Sequence, residues 1–194
     1  MGADAQLRTR AVFLDRDGTL NVDTGYVASP DDVRLVPGAA RGAAMLSAAG
    51  YRLVIVSNQS GLARGLLTAP QADAVDRRVL DLLAASGVRI DATYRCPHLP
   101  GGRVAEYARD CECRKPKPGL LVQAARERGL SLQDSWCIGD GVRDIQAGLA
   151  AGCRVVAVES VGPAHEGEQQ SFPAEVPRVQ TLVDAARLIL AEAP

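Results

Sequence analysis

The stretch Phe13–Asn21, FLDRDGTLN, decides how the rest of this chain is read. It continues a short apolar run, Ala11–Leu14 (AVFL), of the length and bulk of a buried strand. That run ends on a carboxylate, Asp15. A second, Asp17, stands two residues on, followed by Gly18-Thr19. A carboxylate fixed at the end of a buried strand can act as a nucleophile. A second one on a loop that turns back can protonate a leaving oxygen and later activate water. Two carboxylates this close repel each other unless a cation lies between them. Taken by itself, Asp-Gly is also ordinary turn chemistry, so the remainder of the chain has to decide.

Working outward, the same alternation recurs. Leu53–Val56 (LVIV), Trp136–Ile138 and Val155–Val158 read as buried strands, and Ala92–Tyr94 as a weaker one. Helical spacing marks Pro37–Ala49, Gln71–Ser86, Pro118–Arg128, Val142–Ala151 and Leu182–Ala191, several of them stopped by Gly. Gly162–Pro177, rich in Glu, Gln and Pro, reads as a surface loop. Its His165 is expected to be solvated. Strands alternating with helices imply a Rossmann-like three-layer α/β/α sandwich with a mainly parallel sheet. In such sheets ligands sit outside the carboxyl ends of the strands. The three clear strands lead there into Asp15, Ser57-Asn58 and Gly139-Asp140. Ser57 offers a hydroxyl to a phosphoryl oxygen. Lys115 offers an ammonium just before a helix N-terminus. Asp140 can join Asp15 and Asp17 in holding magnesium, with Asp144 nearby in support. Hydroxyl, ammonium, magnesium and two aspartates together suit phosphoryl transfer.

Composition narrows the classes. At 194 residues, 47% hydrophobic and 23% charged, the chain fits one globular domain spanning residues 1–194. Lys+Arg 22 against Asp+Glu 23 provides no global field for nucleic acid or an anionic membrane. No apolar run approaches the roughly 20 residues that span a bilayer. The polar start, MGADAQLRTR, has no signal-peptide apolar region, so a cytoplasmic location is expected. Only Lys115 and Lys117 among the basic residues are lysines. Of five cysteines, Cys96, Cys111 and Cys113 lie close in sequence and share their stretch with His98. Cys-x-His followed by Cys-x-Cys suits a closed, structural zinc site pinning the loop at about 96–113. Cys137 and Cys153, in and beside strands, are expected to be buried packing residues.

Four motifs appear in order: Asp15-x-Asp17-Gly18-Thr19, Ser57, Lys115 and Gly139-Asp140-x-x-x-Asp144. In these the chain resembles the haloacid dehalogenase (HAD) superfamily. The resemblance implies an aspartyl-phosphate intermediate on Asp15 with Asp17 as general acid and base. CPHLP…CECRKPKPGL and SNQSGLARG narrow it further, to the D-glycero-D-manno-heptose 1,7-bisphosphate 7-phosphatases and the related histidinol-phosphate phosphatases. The similarity runs from about Ala11 to about Val158. It implies a small-molecule sugar bisphosphate substrate, catalytic magnesium and structural zinc. It also implies substrate contacts from Arg114 and a pocket lined by Asn58 and Gln59. Gly141 departs from the family, whose members often carry Lys there; Arg143 is a candidate to replace that charge.

Spacing leaves no room for a separate cap domain. The segment around Val22–Val36 and the zinc loop are expected to form a partial rim. Arg64 and Arg114 are candidates to grip a second phosphate. Arg114, if extended, should point away from Lys115. Competing functions are a histidinol-phosphate phosphatase, a nucleic-acid 3′-phosphatase and a non-catalytic zinc scaffold. A monomer acting on neither nucleic acid nor membrane is the expected form.

Overall fold

The computed structural model describes residues 9–159, 161 and 171–192; His165 and most of the Glu/Gln/Pro-rich stretch lie outside them. Six strands form one sheet: β1 Ala11–Leu14, β2 Arg52–Asn58, β3 Ala92–Cys96, β4 Trp136–Gly139, β5 Arg154–Val158 and β6 Arg178–Val179. The order is β3-β2-β1-β4-β5-β6, and every pairing is parallel. The helices are α1 Ala39–Ala48, α2 Gly61–Arg64, α3 Ala69–Ala85, α4 Gly119–Arg128, α5 Val142–Ala151 and α6 Leu182–Ala191. A single 3-10 turn, Pro30–Asp32, is added by the segment after β1.

The strands are apolar at successive positions because both faces of the sheet are covered. Val12, Leu14, Leu53, Ile55, Ile138 and Val156 pack with α1, α3 and α6. Ala11, Phe13, Val54, Val56, Cys137 and Val155 pack with α4 and α5 on the other side. The result is the expected three-layer sandwich. Cys137 and Cys153 belong to the second of these cores, as packing residues.

Local chemistry sets the helix ends. Thr68 and Gln71 exchange a capping box at the start of α3, and Thr181 caps α6 through the Asp184 amide. Gly129 and Gly152 close α4 and α5 in the left-handed conformation. β1 has its expected bounds, whereas β2 to β5 run one to three residues longer than the apolar pattern indicates; in β2 the extra residues, Arg52, Ser57 and Asn58, are polar ends of a continuing ladder. The strand order reverses between β1 and β4, with successive strands added on opposite sides, and that is where a ligand crevice opens in this architecture. Among the described residues there is one sheet and no cap domain. The segment expected as a rim is anchored: Val27, Val33 and Val36 are buried in the core, and Asn21 pairs with Leu35 in a short antiparallel bridge.

Candidate active site and metal centres

Asp15 follows β1 and Asp140 follows β4, so the two neighbouring strands at the crevice each end in a carboxylate. Asp144, in the first turn of α5, points back to the same place. Oxygens of Asp15, Asp140 and Asp144 all lie within 4.8 Å of one another, and all three residues are buried. Lys115 sits among them, with Nζ 2.6 Å from Asp15 and 2.5 Å from Asp144. It also donates to the Val56 carbonyl at 2.8 Å. Three carboxylates share one ammonium, which leaves two negative charges for a divalent cation to neutralise. Oxygen donors of this kind suit magnesium. The backbone makes room for the cluster: Gly18 has φ +83°, and a Cβ there would overlap the Asp140 carboxylate.

The electrostatics agree. Burial pushes Asp15 up to about 8 against the pull of Lys115, and Asp144, Asp140 and Asp17 push it further. Lys115 goes up as well, because Asp144 and Asp15 outweigh the cost of its burial. Asp15 therefore holds its proton to higher pH than an ordinary carboxylate.

Asp17 stands apart. Of the magnesium set expected from sequence, Asp15, Asp17 and Asp140, the structure brings Asp15 and Asp140 together, with Asp144 beside them. The reason is that the Asp17 carboxylate already has four donors. Arg16 grips it from Nε at 3.1 Å and Nη2 at 2.8 Å, and the amides of Asn21 and Gln59 donate at 2.9 and 2.8 Å. Burial raises its pKa, but Arg16 and these hydrogen bonds overcome that, and the net shift is downward. Gln59 also touches Ser57 Oγ at 2.5 Å, so Asp17 is held one amide away from the candidate phosphate hydroxyl.

Asn58 does something different from lining the pocket. Its side chain accepts from the Lys115 amide and donates to the Lys115 carbonyl, both at 3.0 Å. It thereby fixes the main chain that carries the ammonium. Arg114 is not extended: it starts a turn closed by the Lys117 amide, and its guanidinium donates to the His98 carbonyl at 3.1 Å. Burial and the nearby charges of Arg143 and Arg64 depress its pKa on balance. Arg143 and Arg64 therefore each lie within electrostatic reach of Arg114.

The second cluster is Cys96, His98, Cys111 and Cys113. Its S···S separations are 3.5, 3.1 and 3.3 Å, and His98 Nδ1 lies 3.7 and 3.3 Å from Cys96 and Cys113. Tetrahedral zinc with bonds of about 2.3 Å to sulfur places its ligands slightly further apart than this. The donor set and its convergence fit zinc. Cys96 is the last residue of β3 and pairs in register with Asn58, so this loop is rooted beside the phosphate residues.

Sequence reasoning missed Arg16, Asn21, Asp76 and Arg95 near the site. For Arg16 a signal existed: a charged residue at the mouth of a buried strand is rarely buried without a partner.

The fold and these clusters define a HAD-like phosphohydrolase, and residues 112–185 match the HAD-hydrolase-like family. The chain belongs to the D-glycero-beta-D-manno-heptose-1,7-bisphosphate 7-phosphatase family. It is 44% identical to the Yersinia pestis enzyme of that name over 160 residues, 81% of this chain and 85% of that one. It is 38% identical to the Haemophilus influenzae enzyme over 180 residues, 93% and 96% of the two chains. The structure of D,D-heptose 1,7-bisphosphate phosphatase from B. bronchiseptica, complexed with magnesium and phosphate, superposes with a TM-score of 0.81. That match has 34% identity and covers 95% of this chain and all of the other. No described helix is long and apolar enough to cross a membrane.

Proposed function

We propose that this chain hydrolyses the 7-phosphate of D-glycero-D-manno-heptose 1,7-bisphosphate, releasing heptose 1-phosphate, as a cytoplasmic monomer acting on a small molecule. The observation that carries the reading is the buried Asp15–Asp140–Asp144 cluster around Lys115, with the Asp17 carboxylate held beside Ser57. An Asp15 carboxylate oxygen attacks phosphorus, and the bond from phosphorus to the sugar oxygen breaks. Asp17, whose pKa Arg16 holds down, takes up a proton when the phosphate dianion binds beside it and donates that proton to the leaving oxygen. It then takes a proton from the water that attacks the aspartyl phosphate, which frees inorganic phosphate and restores Asp15. Asp15 and Asp140 would hold magnesium, which would supply charge neutralisation for phosphoryl transfer. Lys115 and Ser57 bind the transferred group, and Asn58 keeps Lys115 in place. Zinc on Cys96, His98, Cys111 and Cys113 is structural.

A second phosphate is supported by Arg114, which has the charges of Arg143 and Arg64 near it, because guanidiniums grip phosphate oxygens. Phosphate release from the heptose bisphosphate, histidinol phosphate and 3′-phosphorylated DNA tests the reading. The bisphosphate should be turned over with the highest kcat/KM. A preference for histidinol phosphate or DNA would overturn the substrate, and inactivity on all three would overturn the reaction.

A further inference from the structure

Arg16 is buried between the two carboxylates of the catalytic loop, yet the reaction just written gives it no step. Its side chain is 2% exposed. Two of its nitrogens grip Asp17, and the third, Nη1, meets Asp76 of α3 at 2.5 Å. Asp76, 14% exposed, also takes a bond from Arg95 of β3 at 3.0 Å. Arg95 reaches on to Asp73, one turn earlier on α3 and open to solvent. Charges thus alternate along five residues: Asp17, Arg16, Asp76, Arg95, Asp73.

A guanidinium is a rigid planar fork, and its orientation fixes that of a carboxylate it holds with two bonds. Arg16 is a long side chain with several rotatable bonds. Asp76, at the far nitrogen, stops the fork from turning. A buried ion pair contributes little net stability for its desolvation cost, so fold stability is a poor reason for placing this one at the catalytic loop. We propose that Asp76 is a positioning residue for Asp17, acting through Arg16, with Arg95 as the outer support of the same ladder. This rests on the assignment of Asp17 as the general acid.

The leaving group separates positioning from structure. A phenolate carrying a nitro group departs without a proton, whereas phenoxide or a sugar alkoxide needs one. The ratio kcat/KM reports steps up to departure, before Asp17 acts as a base. The experiment compares p-nitrophenyl phosphate with phenyl phosphate, and with the heptose bisphosphate, for wild type, Asp17→Asn, Asp76→Asn, Asp76→Glu and Arg95→Gln. Asp76→Asn should lower kcat/KM about 30-fold or more on phenyl phosphate and on the sugar, within the range of acid–base contributions, but less than about 3-fold on p-nitrophenyl phosphate. Asp76→Glu should recover most of the loss. Arg95→Gln lies at the partly exposed end and should show the same contrast at about 3- to 5-fold. It serves in place of Asp76→Asn if thermal melting shows that variant unfolded. Equal losses on all substrates, or none, would overturn the proposal. If Asp17→Asn itself shows no contrast, the general-acid assignment fails and the proposal falls with it. If Asp17→Asn shows the contrast and both ladder variants do not, only the ladder is wrong. Failure on the sugar alone, with the aryl contrast intact, would refute the heptose substrate and support the ladder.

Discussion

Lys115 Nζ forms ion pairs with Asp15 and Asp144 and donates to the Val56 carbonyl, so its placement is fixed at both ends: by those contacts and by Asn58 at its backbone. Replacing Asn58 by Ala leaves a Lys115 amide and carbonyl without partners. The cost should be about 1–3 kcal/mol of stability, with kcat/KM falling as the ammonium shifts. Chemical denaturation and steady-state kinetics check both. Asp15→Asn should abolish phosphate release while the fold persists, because the amide is no nucleophile but keeps the shape. Wild-type turnover in that variant would exclude a covalent step on Asp15. Arg114 donates to the His98 carbonyl, and on the proposed reading it meets the substrate beyond the reacting phosphate. A contact there acts alike on substrate and transition state. Arg114→Ala should therefore raise KM more than it lowers kcat, and more for a bisphosphate than for a monophosphate. Equal losses confined to kcat would place Arg114 at the transferred phosphoryl group.

At the scale of elements, the zinc loop hangs from the end of β3 and returns at Cys113, two residues before Lys115. The interior of that loop adds little to either large core and is tied down by Tyr107 against the small Leu62–Leu67–Ala72 cluster and by the Val104 amide on the Ala63 carbonyl, so much of its shape depends on the metal at its base. Chelation of zinc should lower the melting temperature and reduce activity together, and added magnesium should restore neither. Metal analysis of protein purified without chelators should find about one zinc per chain; none bound would remove the site. The loop also bears on catalysis through register, since Asn58 lies opposite Cys96 and the Gln59 amide donates to the Cys96 carbonyl at 2.7 Å. Losing zinc therefore disturbs the residues that hold Lys115 and Asp17.

For the whole molecule, the buried acidic cluster sets how stability responds to pH and metal. Without metal, burial and three neighbouring carboxylates raise the Asp15 pKa above its unfolded value, despite Lys115. The folded protein then binds more protons than the unfolded one. That contribution to stability is present below the ordinary carboxylate range and is lost as pH rises toward about 8. Metal-free protein should accordingly melt at lower temperature as pH rises across this window. Magnesium should stabilise it most at the upper end, where Asp15 is ionised. Melting curves at several pH values, with and without magnesium, read this directly. A magnesium effect that shrinks as pH rises would contradict the cluster as the binding site.

The sequence alone determined the layers and the chemistry. Apolar runs such as AVFL and LVIV can only be strands buried on both faces, and parallel connection brings their polar ends to one edge; Asp15, Ser57 and Asp140 were legible for that reason. The zinc ligands were legible because their spacing is local. The short elements, α2, β6 and the 3-10 turn, were not, since segments so brief take their order from the packing around them. The tertiary structure decided how the functional groups are shared out. Asp144 completes the acidic cluster because α5 points its first turn at Lys115, and Asp17 turns from it because Arg16, Asn21 and Gln59 claim its oxygens. Asn58 serves the Lys115 backbone, 57 residues away. Asp76 meets Arg16 across 60 residues. A carboxylate's identity is written in the chain, but which cation it faces depends on the directions in which separate strands and helices aim their side chains, and only packing sets those.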